Sequence, residues 1–308
     1  MNFVNELLLR LVTIYIAEGI IGLVLFFVFR HFSSIYKRRF LRTWAWAWLM
    51  FAIHTLAMGI ILPLVRPQLW LDIIINVFAQ IGGYSHIFLI ITGVLELIRG
   101  KTLRLKQYQS LLFMVSLVAT SLVFAFANDP LAEKERYVLR FIMHEFFTGI
   151  GFIAAGWLTL SNQKLYRGFG HRLLAISFIL YGLGRIQYFG TGVYNIFGGA
   201  FLVPPFNYGT IDLLLIGLMG LGMVMWLLED ERERLNKTNR ELDSFIYSTS
   251  HDLRAPVASV LGIATLARIE LTDARALTFM DMIEVRMHRL DMMITDILSW
   301  TRSRKSEI

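Results

Sequence analysis

A chain of 308 residues would ordinarily make two soluble domains, but 56% of these residues are hydrophobic and only 17% charged, and mean hydropathy is +0.57. The net charge of +7 sits in the apolar part: residues 1–228 hold 18 Lys/Arg against 9 Asp/Glu, residues 229–308 hold 12 against 14, which removes the main support for nucleic-acid binding. The absence of cysteine excludes disulfides, thiolate metal sites, iron–sulfur clusters, cysteine nucleophiles and covalent c-type haem.

A bilayer core needs roughly 20 apolar helical residues to cross. Seven stretches qualify, at about 8–29, 43–65, 69–98, 107–127, 137–160, 173–194 and 208–228. The first has no basic lead-in and no small-residue cleavage pattern, so it is read as a retained span and not a signal peptide. Basic residues crowd alternate loops: Arg30, Lys37, Arg38, Arg39 and Arg42 after the first span, Arg99, Lys101, Arg104 and Lys106 after the third, Lys164, Arg167 and Arg172 after the fifth. The opposite loops carry Arg66, then Lys134 and Arg136, then none over 196–207. The positive-inside rule puts the N-terminus outside and the C-terminus in the cytoplasm. Trp44, Trp46, Trp48, Trp70, Tyr137, Tyr208 and Trp226 read as an interfacial aromatic belt. Gly182, Gly184, Gly217, Gly220 and Gly222 read as points of close helix packing.

Composition changes abruptly after Leu228, to Glu229-Asp-Glu-Arg-Glu-Arg-Leu235, with no Gly or Pro at the step. The last span is therefore expected to continue into the cytoplasm as one helix, with Leu228, Leu235 and Leu242 forming a weak heptad seam. Ile246, Ser250, Leu253, Val257, Val260, Ala264, Ala267 and Leu271 follow helical spacing, and Thr272 or Asp273 can cap a second helix with Met280, Ile283, Met287, Leu290, Ile294, Ile297 and Thr301 on one stripe. Such a hairpin buries too little surface alone, so two copies are expected to pair as a four-helix bundle. Pro256 removes one helical hydrogen bond just after His251, and a kink is expected there.

The run Phe245-Ile-Tyr-Ser-Thr-Ser-His251-Asp252-Leu253-Arg254-Ala255-Pro256 resembles the H-box of bacterial sensor histidine kinases, the membrane receptors of two-component systems. The resemblance covers about 65 residues, 244–308, including Arg289-Leu-Asp291 on the second helix. It implies that His251 accepts the γ-phosphoryl group of ATP and passes it to an aspartate on a response regulator. The residue types suit that chemistry. A neutral imidazole keeps a free lone pair, adjacent Asp252 can accept the other ring N–H, and phosphoryl transfer asks chiefly for positioning and charge stabilisation. Arg254 is a candidate phosphate contact, a solvated arginine being the plainer reading. Ala255 stands four residues after the histidine, where the family often has a Thr or Asn that positions water, so phosphatase activity does not carry over. The family's ATP-binding domain, which would supply ATP and Mg, would follow Ile308. The expectation is a receptor plus phosphoacceptor that cannot bind ATP by itself. His288 lacks comparable surroundings and is read as surface.

The fold expected is thus all-α: a seven-span, multi-pass sensor domain (1–228), a signalling helix (229–243) and a dimerising phosphotransfer hairpin (244–308), lodged in a bacterial inner membrane. No lysine among 37, 101, 106, 134, 164, 237 and 305 falls inside a span, which excludes a retinal Schiff base. Ionisable residues inside spans are costly and are usually paired or functional. Counting about 1.5 Å per residue from the cytoplasmic ends, Glu18, His54 and His86 fall at similar depth. Three readings stay open for them: a polar cluster that fixes packing, a transition metal or a b-type haem held by the histidines, or a site for an organic ligand. A second group, Asp72, Arg140, His144, Glu145, Arg185 and Asp212, is placed nearer the outside. It reads as buried ion pairs, Arg185 with Asp212 or Glu145, or as an outward-opening ligand pocket with Tyr181 and Tyr188. Rival readings of the whole are a transporter, or a membrane haem or metal redox protein, with a dimerising cytoplasmic hairpin.

Overall fold

The computed structural model describes residues 2–62, 69–99, 105–125, 132–162, 168–198, 208–270 and 273–306. Within them the chain forms helices α1 (Asn2–Tyr36), α2 (Arg39–Ile61), α3 (Leu69–Arg99), α4 (Leu105–Phe124) and α5 (Glu133–Tyr137), a π-helical turn (Val138–Ile142), then α6 (Met143–Ser161), α7 (Phe169–Phe197), α8 (Tyr208–Glu270) and α9 (Ala274–Ser306), and no strand. Seven of these segments are long and apolar enough to cross a membrane, so the protein is a multi-pass, all-helical membrane protein. Arg66, Lys101, Arg104, Lys164, Arg167, Leu271 and Thr272 lie outside the described residues, as do the side chains of Lys106, Tyr208 and Thr301.

The chain divides into two compact units, Met1–Glu229 and Asp230–Ile308. In the first, α2 packs against α1 and α3, and α6 packs against α7 and α3. Lys37, in the left-handed region at φ 53°, ends α1 by closing its N–H on the Ser33 carbonyl at 3.1 Å, the usual way a helix satisfies its last carbonyls before a tight turn. α1 thus runs on to Tyr36, beyond the 29 expected from hydropathy.

The core is aromatic: Phe29, Phe40, Trp44, Trp48, Phe51, Phe152, Phe178 and Trp226 are buried together. This corrects the belt reading. Trp44, Trp48 and Trp226 are 0–1% exposed, while Trp46 and Trp70 face outward at 45% and 60%. Residues 44 and 48 lie i, i+4 on the inner face of α2, and alternate residue 46 points away. Gly93 makes the room, since a Cβ there would collide with the Trp44 indole. Of the glycines expected at close helix contacts, Gly182 faces the backbone of Gly149 and Ile153, and Gly222 the backbone of Leu174, whereas Gly217 has nothing against it.

The second unit is a helical hairpin. Helix α8 passes through Pro256 without interruption. Asp273 caps α9 by accepting from Ala276 N at 3.3 Å. Ser250, Val257, Ala264 and Ile294 are buried between the helices. Arg268 bridges to Asp281 and Glu284 at 3.3 and 3.2 Å. Leu253, Val260, Ile263, Met282 and Val285 stay exposed, a second apolar face that the hairpin itself does not cover.

Candidate functional site

The two membrane groups separated by depth in the sequence are one site in the structure. A single cavity is lined by Glu18, His54 and His86, and also by Arg140, His144, Glu145 and Arg185. Two local features accompany that convergence: α1 runs on to Tyr36, and the π-helical turn Val138–Ile142 changes the helical register just before His144. Such turns cluster at functional sites because they re-aim side chains.

Helix α2 contributes His54, whose ring stacks on the His144 ring from α6 with centroids 4.5 Å apart and planes 28° from parallel. Gly83 on α3 permits this, because a Cβ there would overlap His144 Nε2 and lie 2.9 Å from His54 Nδ1. His54 Nδ1 is 2.7 Å from the Ala79 carbonyl and His86 Nδ1 is 2.9 Å from the Ala47 carbonyl. A carbonyl oxygen only accepts, so each Nδ1 carries the hydrogen, and in the neutral ring Nε2 is left as a lone pair. His86 is walled by Trp48, Phe51 and Phe152, with ring centroids 5.0–5.6 Å away. His54 therefore stacks on His144, while His86 is packed among aromatic rings. The cavity measures about 20 Å³, which suits a water or a monoatomic ion on the scale of ~10–15 Å³ for one water.

Arg185 from α7 is the hub of the charged part. It reaches Glu145 at 3.4 Å and Asp212 at 3.1 Å, and its guanidinium lies 4.6 Å from the Tyr181 ring centroid and 5.3 Å from that of Tyr188. Planar stacking with simultaneous carboxylate pairing is what arginine, unlike lysine, can do. Arg140 pairs with Asp72 at 3.6 Å and donates to the Val123 carbonyl at 2.7 Å, while its own carbonyl accepts from Gln80 Nε2 at 2.6 Å. Glu18, 3% exposed, forms none of the hydrogen bonds or ion pairs found among the described residues. Tyr15 and Gln80 also line the cavity and were missed from the sequence. Their signals were present: Tyr15 precedes Glu18 by one helical turn, and Gln80 is a polar amide in mid-span.

Near the other end of this unit, the Glu229 carboxylate accepts from the Gly170 N–H at 3.0 and 3.2 Å, an anion on the first turn of α7. Gly170 has no room for a side chain because the Trp226 backbone fills the place. Glu229 thereby pins α8 to the start of α7.

In the hairpin unit, His251 is exposed, with Nδ1 3.5 Å from Asp252 Oδ1 and both side chains about three-quarters accessible. Arg254 turns toward α9, where it meets Asp291 at 3.5 Å and Thr295 Oγ1 at 3.5 Å, so its partners here are in the hairpin. His288 is exposed. Comparison with known protein families, curated proteins and solved structures returns no match to this chain.

Proposed function

We propose that this chain is the sensing and phosphoacceptor part of a sensor histidine kinase of a bacterial inner membrane, acting as a homodimer. The observation that carries the reading is the H-box around His251: an accessible imidazole with a carboxylate at 3.5 Å, on the first helix of a hairpin. An exposed ring can meet ATP held by a separate domain and then the aspartate of a response regulator. Asp252 beside Nδ1 orients the ring, so that Nε2 attacks the γ-phosphorus in line as the bond to the ADP oxygen breaks. The charge that develops on the imidazole is taken up by the same carboxylate.

The exposed apolar face of Leu253, Val260, Ile263, Met282 and Val285 suits a second copy of the hairpin, because a four-helix bundle is the smallest arrangement that buries such a face. The buried polar site in the membrane unit is the candidate for stimulus detection. Intramembrane charges are too costly to keep without a role or a partner, and α8 carries both Asp212 of that site and His251. The Glu229–Gly170 contact is the hold that a movement of α8 would have to change. The test joins the chain to an ATP-binding domain of this family and supplies ATP. Wild type should take up acid-labile, alkali-stable phosphate and His251→Gln should take up none; equal labelling of both would reject the reading.

A further inference from the structure

We infer that the joined ends of α1 and α2 form a binding site for one anionic phospholipid, its headgroup held by Arg30 and Arg42 and its acyl chains lying on Phe26, Phe27 and Trp46. Two observations meet here. The first is charge. Arg30, His31, Lys37, Arg38, Arg39 and Arg42 crowd the turn between the two helices, and no Asp or Glu lies between Glu18 and Asp72. Arg30 and Arg42 are exposed, and neither takes part in the ion pairs or hydrogen bonds found among the described residues. Glu96 on α3 feels the field of Arg42, but its carboxylate is partly buried and accepts from Thr43 Oγ1 at 2.8 Å. Uncompensated basic charge at the end of a span attracts anionic headgroups.

The second is what lies beneath the charges. The Phe26 ring on α1 is 6.1 Å from the Trp46 indole on α2, and Phe29 meets Trp44 at 5.9 Å. A Cβ at Gly22 would touch Phe51 and Ala52. These are the pairings of antiparallel neighbours, and they put Phe26 and Trp46 at one level. Arg30 stands four residues after Phe26 and Arg42 four residues before Trp46, so each arginine shares a helix face with its aromatic residue, one turn nearer the connection. Trp46 is 45% exposed and Phe27, whose ring is 5.0 Å from that of Phe26, is 65% exposed.

Orienting a span needs only charge in the loop, on any face. Here two guanidiniums stand at the end of an outward aromatic patch, where a phosphate and its acyl chains would lie one after the other. A guanidinium fork matches phosphate oxygens two at a time, and an aromatic ring at headgroup level offers an apolar body to the chain. The occupant that satisfies both halves is an anionic glycerophospholipid. A free phosphate would leave the aromatic half unused, and a zwitterionic lipid would leave the charge unmatched.

The experiment uses the full chain in detergent, with phosphatidylglycerol or phosphatidylcholine added at equal concentration and retained lipid counted by native mass spectrometry. One phosphatidylglycerol per chain is expected to be held in preference to phosphatidylcholine. Its affinity should fall about fivefold for each arginine lost in Arg30→Gln and Arg42→Gln, and should also fall in Trp46→Ala. Arg172→Gln with Arg232→Gln removes the same charge at exposed positions elsewhere and should leave binding unchanged. Excess glycerol 3-phosphate should not displace the lipid. Helicity and elution volume report folding of each variant. Equal retention of the two lipids, or equal binding by wild type and the Arg30→Gln, Arg42→Gln double variant, would overturn the site. So would an equal loss in the Arg172, Arg232 control, which would reduce the preference to net charge, and so would displacement by glycerol 3-phosphate, which would make the ligand a free anion. No arm reads phosphate on His251, so this site and the proposed function fail separately.

Discussion

The imidazoles of His54 and His144, from α2 and α6, stack at 4.5 Å across the bare Cα of Gly83. This contact joins residues that hydropathy alone assigns to different depths, and it makes one site of two. Gly83→Ala should force the rings apart. The expected cost is about 1–3 kcal/mol, the usual penalty for overpacking a tight contact, read as a lower unfolding midpoint in detergent. Histidine NMR resonances of both rings should shift together. An unchanged midpoint with unchanged resonances would mean that the stack is not formed.

Arg185 is bound by two carboxylates, and its guanidinium lies over two tyrosine rings. Arg185→Ala leaves Glu145 with His144 and Asp212 with the Tyr188 hydroxyl but with no cation between them. Removing one partner of a buried charge network typically costs about 3–5 kcal/mol, so expression and thermal stability should both fall. Adding Asp212→Asn should recover part of the loss. Wild-type stability in Arg185→Ala would show that the guanidinium is dispensable to the fold and free to serve a ligand alone.

Trp44 and Trp46 provide a paired test of the core. Trp44→Ala should cost about 3–5 kcal/mol, as large aromatic deletions from packed cores do. Trp46→Ala, on the outward face of α2, should stay within about 0.5 kcal/mol. Thermal unfolding of the two variants in the same detergent decides the matter. Equal effects would restore the interfacial reading of Trp44.

These residues also mark how far the sequence could be read. The seven crossings follow from runs of apolar residues, and the two hairpin helices from their 3–4 spacing, because both signals are local. Glu18, His54, His86 and the Arg140–Asp212 group stood out because charge in lipid is rare. What could not be read was which of them meet. Tryptophans at a helix end look alike whether they face headgroups or a core, and only Gly93 against Trp44 separates the cases. A π-helical turn has no local sequence signature, so the placing of His144 beside His54 depends on tertiary packing.

The absence of native cysteine makes the exposed apolar face of the hairpin easy to map. Val260→Cys and Ile263→Cys in full-length chains in membranes should form disulfide-linked dimers under mild oxidation. Ala258→Cys, which is exposed on another side of α8, should not. Equal cross-linking at all three positions would indicate random collision, and no cross-linking at any would remove the paired hairpin from the proposal.

Control of the chemistry at His251 by the membrane site is the core of the proposed function. Its most direct test is the initial rate of His251 phosphorylation in proteoliposomes, with an ATP-binding domain of the histidine-kinase type fused after the hairpin. Glu18→Gln and Gly83→Ala should each change that rate severalfold in proteins that remain folded. Leu117→Ala, at an outward-facing position of α4, should leave it unchanged. Phosphate on His251 at one common rate in all four proteins would contradict the coupling, and no phosphate on His251 in any of them would contradict the function itself.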